Sequence, residues 1–284
     1  MRVLFHLFII VLWTSVSLGQ MNPGAKQISM SNSDVALSDD VFSIFNNPAG
    51  LAQLDWRELG LYYSPAPFGL NELANGYIAY GEPLGFGTAG IGVMTYGFEL
   101  YRESRFLLSF STLYQNKFFA GISFNYHIVS IRGYGDKSAF YFNAGSLGYL
   151  TNELRIGFFI QNINQASFTS NEDQIPILLN AGVSYSINNY LSLNFAIEKD
   201  IRYKASVRSG INYDIIDNLS LRIGFANEPA EFSCGIGIHL SYFNFDYAIF
   251  THPDLGLTHQ AGIIISFEKE GNRTKNIKEF LDIK

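Results

Sequence analysis

Between Trp56 and Phe267, apolar residues recur at every second position, and the places between them are filled mostly by glycine, serine and asparagine. Phe118, Ala120, Ile122, Phe124, Tyr126 and Ile128 make one such row, interleaved with Gly121, Ser123, Asn125 and His127. Ile175, Ile177, Leu179, Ala181, Val183 and Tyr185 against Asn180, Gly182, Ser184 and Ser186 repeat the pattern, as do Leu191, Leu193, Phe195 and Ile197 against Ser192, Asn194 and Glu198. A period of two is the signature of a β-strand whose faces meet different surroundings. A sheet with one face in water would carry Lys, Glu and Thr on its polar side. Small polar residues there, with long aliphatic and aromatic ones opposite, fit a wall between lipid and an enclosed lumen.

About fourteen such segments can be laid out at the nine to eleven residues that a tilted strand needs to cross a bilayer. They start near Trp56, Asn75, Phe86, Arg105, Phe118, Ala139, Leu154, Ile175, Leu191, Lys204, Leu219, Ser233, Phe245 and Leu257. An even number returns both ends of the wall to the periplasmic side; a count of twelve is the alternative. Gln115-Asn116-Lys117, Thr151-Asn152-Glu153, Asn188-Asn189-Tyr190 and Asp217-Asn218 mark every second junction. Asn and Asp tolerate the left-handed backbone of tight hairpins, so these junctions read as the periplasmic turns. Asn152 to Phe158 and Asn218 to Phe225 share a turn, an outward apolar row and an inward arginine, which is a weak hairpin repeat. The opposite junctions, such as 64–73, 164–174 and 228–232, are only modestly longer.

Composition agrees with a bilayer setting: 48% of residues are hydrophobic and 15% aromatic, with 25 Phe and 17 Tyr, against only 15% charged. The net charge of −6 and the absence of any Lys/Arg cluster argue against nucleic acid as a partner. At the start of the chain, Arg2, the apolar run Val3 to Trp13 and Ser17-Leu18-Gly19 read as an export signal with the mature protein beginning at Gln20. Cys234, the sole cysteine, is far from that cleavage point, which speaks against a lipid-anchored N-terminus and against an internal disulfide. The expected organisation is a signal peptide (1–19), an N-terminal plug segment (20–55), a transmembrane β-barrel (56–267) and a charged periplasmic tail (268–284).

The plug segment is polar and turn-rich. Ser38 before Asp39 and Asp40 reads as one helix cap, and Asn47 before Pro48 as another with proline at the first helical position. The stretch from Gly24 through Asp39-Asp40 and Phe42-Ser43-Ile44-Phe45 to Asn47-Pro48-Ala49-Gly50-Leu51 resembles the N-terminal signature of the FadL and PorV/PorQ groups of outer-membrane barrels. It departs from them at Ser29-Met30-Ser31-Asn32, where those groups usually carry Gly-Met-Gly. The resemblance implies an all-β, transmembrane antiparallel barrel of the cell outer membrane with an N-terminal plug in its lumen, and no cofactor. It implies one of two roles. The first is that of a secretion-associated (type IX-like) accessory or scaffold barrel, which the short external loops favour, with secretion-system proteins as partners. The alternative is a FadL-like channel for uptake of small hydrophobic molecules.

On this reading Asp39, Asp40, Phe42, Phe45, Asn47 and Pro48 are the plug residues, and the lumen carries Arg155, Glu198, Arg208, Asp214, Arg222, His239 and Asp246. Arg155, Arg208 and Arg222 could meet Asp39 and Asp40 or pair with the wall acids Glu198, Asp214 and Asp246. Gly121, Gly157, Gly182, Gly210 and Gly224 would leave room for the plug backbone.

Three tempting motifs fail on context. Gly85-Phe86-Gly87-Thr88-Ala89-Gly90 matches a dinucleotide fingerprint but runs on into a strand rather than a helix. His239 and Ser241 with Asp246 suggest a hydrolytic triad, yet they fall near a periplasmic turn, so the chain reads as a non-enzyme. His252 and His259 with Asp254 are too few ligands for a metal. The row Ala261, Ile263, Ile265 and Phe267 looks like the assembly signal of outer-membrane barrels, yet a tail follows it. Ile277, Phe280 and Leu281 lie there at helical spacing; the tail is either solvated or a short helix docked on the periplasmic mouth or on a partner.

If this reading holds, the protein fractionates with outer membrane and migrates anomalously on gels unless boiled, because a closed barrel resists detergent. Single cysteines at Asn116, Asn152 or Asn189 then react with an impermeant maleimide only from the periplasm, and one at Asn171 or Asp254 only from outside. Recovery as a soluble periplasmic protein overturns it.

Overall fold

The computed structural model describes residues 23–168, 175–268 and 273–282. The expected signal peptide, residues 269–272 of the tail and part of the 164–174 junction lie outside them. The fourteen strands are β1 (Glu58–Ser64), β2 (Asn75–Leu84), β3 (Gly87–Gly97), β4 (Tyr101–Tyr114), β5 (Phe118–Ile131), β6 (Gly135–Tyr149), β7 (Leu154–Ile160), β8 (Leu178–Ser186), β9 (Leu191–Asp200), β10 (Ser206–Ile216), β11 (Leu219–Asn227), β12 (Ala230–His239), β13 (Phe243–His252) and β14 (Gly256–Ser266). Each pairs antiparallel with its neighbours, and β1 closes on β14 from Glu58 opposite Ser266 to Tyr63 opposite Ala261. The closed antiparallel barrel expected from the alternation is present, with fourteen strands rather than twelve.

The exterior rows are the apolar ones. Leu108, Ile122, Phe158, Phe195 and Ile223 are all more than half exposed. Side chains of this kind around the whole circumference exceed the patches that a water-soluble surface carries and match a lipid-facing belt. No described helix is long and apolar enough to cross a membrane, and the strands are the crossing elements. At the end of the barrel that carries both termini, hereafter the terminal end, the turns are tight: Gln115 and Asn116 both have positive φ, 52° and 53°, as a two-residue hairpin of this hand requires.

The segment 23–55 lies inside the barrel. It holds two one-turn helices, α1 (Ala25–Ile28) and α2 (Ser43–Asn46), and a 3-10 helix, Pro48–Gln53. Nearly every side chain in it is buried, and its apolar residues share one core with lumen-facing wall residues such as Tyr62, Tyr77, Met94 and Leu107. The wall admits it by omitting side chains. A Cβ added to Gly157 on β7 would lie 2.3 Å from the Val35 carbonyl oxygen, and one on Gly121 of β5 would lie 2.4 Å from the Pro48 carbonyl carbon. Gly182, Gly210 and Gly224 face Val35, Ser33 and Met30 in the same way.

The strand pattern departs from expectation at several places: β4 and β6 start four residues earlier than expected, at Tyr101 and Gly135, β12 starts three earlier, at Ala230, and the ladder itself changes at β7 and β8. β8 starts at Leu178 instead of Ile175, and β7 is only seven residues long beside the fifteen of β6. The β6–β7 ladder therefore stops where Ala144 faces Ile160. Ile175 turns inward to pack with Ala139 and Tyr141 instead of continuing an outward row. Asn162 at φ 57° breaks the strand. Its amide donates to the Ile175 and Ala166 carbonyls at 2.9 and 3.0 Å. Local side-chain bonding of this kind competes with the ladder, and alternation alone does not reveal it.

Gly157→Ala is therefore expected to unseat the plug, lowering thermal stability by about 1–3 kcal/mol through overpacking. Gly76→Ala, whose new Cβ would meet nothing nearer than 3.6 Å, serves as the neutral control. Equal melting temperatures for the two variants count against direct plug–wall packing.

Candidate functional site: the plugged lumen

Two chemically distinct zones lie along the plug. At the terminal end the core is ionic. Lys26, the lone basic residue between positions 20 and 55, places its ammonium 2.5 Å from Asp39 and 3.5 Å from Asp40. The Gln27 amide donates to Asp40 at 2.7 Å, and the other Asp40 oxygen accepts from the Phe42 amide at 2.9 Å. Burial alone would push the Asp39 carboxyl up, but Lys26, Arg155 and Arg273 together hold it below the usual carboxylate range. Burial likewise opposes the charge on Lys26, and Asp39 and Asp40 more than offset it.

These commitments account for a departure from the sequence reading. No helix starts at Asp39, and Ser38 caps nothing: its hydroxyl has no hydrogen-bond partner, while its carbonyl accepts from the Gln53 amide at 2.6 Å. The two carboxylates are held by Lys26 and Gln27 instead of by a helix N-terminus. Asn47 does cap. Its side chain accepts from the Ala49 amide at 3.3 Å, with Pro48 at the first position of a 3-10 helix. The Asn47 amide also reaches the Val35 carbonyl at 2.8 Å and the Ser146 carbonyl of β6 at 3.2 Å, so one residue ties two plug turns to the wall. A Cβ on Gly50 would lie 2.2 Å from the Ser38 carbonyl oxygen, a physical reason for glycine in Asn-Pro-Ala-Gly-Leu.

The lumen arginines divide between the two anticipated partners. Arg155 faces the plug, 4.0 Å from Asp39 and donating to the Leu37 carbonyl at 3.4 Å. Arg222 stays in the wall network, 2.5 Å from Asp246 and 2.7 Å from Asn212. Arg208 does both, at 2.6 Å from Glu198 and 3.3 Å from the Ser31 carbonyl. The Asp214 carboxylate accepts from Ser220 at 2.6 Å. His239 bonds Ser220 at 2.7 Å and Asn244 at 3.0 Å, so it is not joined to Ser241 and Asp246. Ser220 is fully buried and already donates to Asp214, which makes this cluster a wall network. Around it the plug, the ends of β7 to β14 and the tail line a polar cavity of about 70 Å³.

On the other side of the plug the lumen carries a group of aromatic rings beside a buried cluster of Glu103, Arg105 and His127, in which His127 lies 2.9 Å from Glu103. Phe42 meets Tyr62 at 6.5 Å between ring centroids, Tyr62 meets Tyr77 at 5.6 Å, and Phe45 meets Tyr77 edge-to-face at 5.1 Å. The Arg105 guanidinium sits 5.6 Å over the Phe45 ring. Phe68, carried inward by the β1–β2 connection, packs on Phe250 at 5.7 Å and on His252 at 5.8 Å, and its amide donates to Thr258. Phe250, Tyr62, Tyr77, Phe42 and Phe45 belong to one apolar cluster, with Phe68 against it. His259 bonds Tyr247 at 2.6 Å and stands on the outer face. The Gly85 to Gly90 motif forms the β2–β3 turn and the start of β3.

Sequence reasoning missed Lys26, Glu58, Arg273 and the tyrosine pair. Lys26 had a signal, a lone cation among four plug-segment acids. Glu58 and Arg273 had none, because their meeting depends on barrel closure.

No protein-family model matches the chain, and no curated protein matches it in sequence. Solved structures do match in fold. The chain is similar to the CymD monoaromatic hydrocarbon channel, at 13% identity over 87% of this chain and 98% of that one, with a TM-score of 0.70. It is similar to the Ralstonia pickettii toluene transporter TbuX, at 14% identity over 87% and 98% of the two chains and a TM-score of 0.64. A Pseudomonas aeruginosa FadL homologue matches at 13% identity, 86% and 97% coverage and a TM-score of 0.57. The fold is that of FadL-type outer-membrane barrels, whose structural neighbours here are channels rather than enzymes. None of these matches supports the PorV/PorQ assignment or the secretion role.

Because plug and wall complete each other's polar contacts only when the plug is inside, deleting 20–55 should leave a heat-modifiable barrel with raised ion conductance in planar bilayers. Unchanged conductance would mean that wall side chains, not the plug, close the lumen.

Proposed function

We propose that the protein is a plugged outer-membrane channel for small hydrophobic molecules. The observation that carries this reading is the aromatic cluster running from Phe68 and Phe250 through Tyr62 and Tyr77 to Phe42 and Phe45 of the plug. Rings presented edge to face offer apolar contact with few polar groups, the chemistry by which a small hydrocarbon or an acyl chain is held. The fold neighbours named for monoaromatic hydrocarbons and toluene support the same class of solute. Short external loops, which weighed toward a scaffold role in the sequence, lose that weight once Phe68 supplies an apolar surface within the mouth itself.

A route out of the aromatic zone is more favourable sideways than straight through. The terminal end offers a small polar cavity ringed by Lys26, Asp39, Arg155, Arg222 and Arg273, a poor path for an apolar solute. At β7 the wall ladder is short, six pairs with β6 as at the β1–β14 closure, and beyond Ile160 the chain is held to β6 by the Asn162 backbone amide donating to the Asn143 side chain, by the Asn164 side chain and by a backbone bond from Ile163 to Phe142. Such a seam opens at lower cost than a continuous ladder. Plug displacement above and release into lipid at β7 together define the transport path.

Purified protein exposed to toluene or a medium-chain fatty acid should retain it through native mass spectrometry, and Phe45→Asp should weaken retention at least about tenfold by removing buried apolar contact. Retention unchanged by Phe45→Asp, or a co-purified protein partner without any small hydrophobic molecule, overturns the proposal.

A further inference from the structure

The tail is folded where it is described, and it docks at the mouth of the barrel. Residues Arg273–Phe280 form helix α3 at the terminal mouth. Its first residue makes three contacts with three different parts of the molecule. The Arg273 guanidinium donates to the Glu58 carboxylate of β1 at 2.6 Å and to the Asp39 carbonyl of the plug at 2.8 Å, and it lies 5.8 Å over the ring of Trp56, which joins plug to barrel. Further along, Ile277 and Leu281 are each 1% exposed and belong to the same apolar cluster as Leu54, Trp56 and the plug core.

Glu58 is the centre of this arrangement. Fully buried, it accepts from the Trp56 indole at 2.8 Å, from the plug amide of Val41 at 3.0 Å and from Arg273. One carboxylate thus binds the wall, the plug and the tail, and Arg273 supplies its neutralising charge. A buried carboxylate deprived of its cation is strongly destabilised, so tail docking and plug seating are coupled through Glu58. The coupling has a releasable side. A helix of eight residues is marginal in water by itself, and α3 therefore holds its shape only while docked.

The geometry points to α3 as a latch that retains the plug from the terminal end, with Arg273 as the bolt and Ile277 and Leu281 as its apolar seat. When α3 undocks, Glu58 and Asp39 lose a shared donor, the polar cavity opens to the periplasmic side and the plug is free to shift. This goes beyond the solute proposed above and holds for any solute.

The test needs no ligand. In a full-length Cys234→Ser background, Ser38→Cys places a thiol at a 2% exposed plug position whose hydroxyl makes no hydrogen bond. Maleimide labelling of the folded, heat-modifiable protein in detergent is then compared with the same chain ending at Glu268 and with full-length Arg273→Ala. Loss of a charge-assisted hydrogen-bond pair predicts labelling faster by at least about tenfold in both. Ile277→Ala should act in the same direction, because it empties the apolar seat without touching a charge. If the truncated chain does not fold, the two point variants carry the test. Labelling rates equal to the full-length reporter in all variants that fold overturn the latch. Faster labelling together with failure to retain toluene or fatty acid would leave the latch standing and remove the channel reading; the reverse result would do the opposite.

Discussion

The structure depends on direct packing of an irregular polypeptide against a β-wall from which side chains have been removed. A fourteen-stranded barrel encloses a lumen too wide for wall side chains alone to fill when the facing positions are glycines. The plug fills it, and its turns come so close that a methyl group at Gly121 or Gly157 would overlap its backbone. Irregular backbone is tolerated at membrane depth only where protein surrounds it and its polar groups are satisfied. That requirement explains the density of side-chain caps in the plug: Asn47, Asp40 and Gln53 each commit at least one polar atom to plug or wall backbone.

Around this packing the chemistry is divided by level. One set of charges, Lys26, Asp39, Asp40, Glu58, Arg155 and Arg273, gathers and compensates at the terminal end, while the buried Glu103–His127 pair, Arg105 and the Arg208–Glu198 pair lie further from it. Aromatic rings gather on the opposite side, from Phe42 and Phe45 to Phe68 and Phe250. An apolar solute gains contact in the second zone and loses it in the first. The short β6–β7 ladder lies about half-way round the wall from β1, β2 and β13, which carry Tyr62, Tyr77 and Phe250. Tail and plug meet at the charged end, where a latch can hold without obstructing the aromatic side.

What the sequence by itself determined is whatever depends on neighbours one or two positions apart. Alternation gave the barrel, its lipid face and most strand positions, because the period of two reports the two solvents directly. The Asn47-Pro48 cap was legible for the same reason: capping is local. The Ser38 cap failed because a buried lysine from earlier in the chain took Asp39 and Asp40 away from the helix end. Strand β7 was read at its start but not at its end, where Asn162 exchanges ladder bonds for side-chain ones. Only the tertiary structure decided which charges meet. Glu58 and Arg273 are separated by nearly the whole wall in sequence and become neighbours because β1 closes on β14, bringing the plug's exit and the tail to one mouth. Closure of a barrel is a long-range event that no local pattern encodes, and the ion pairs at its seam follow from it.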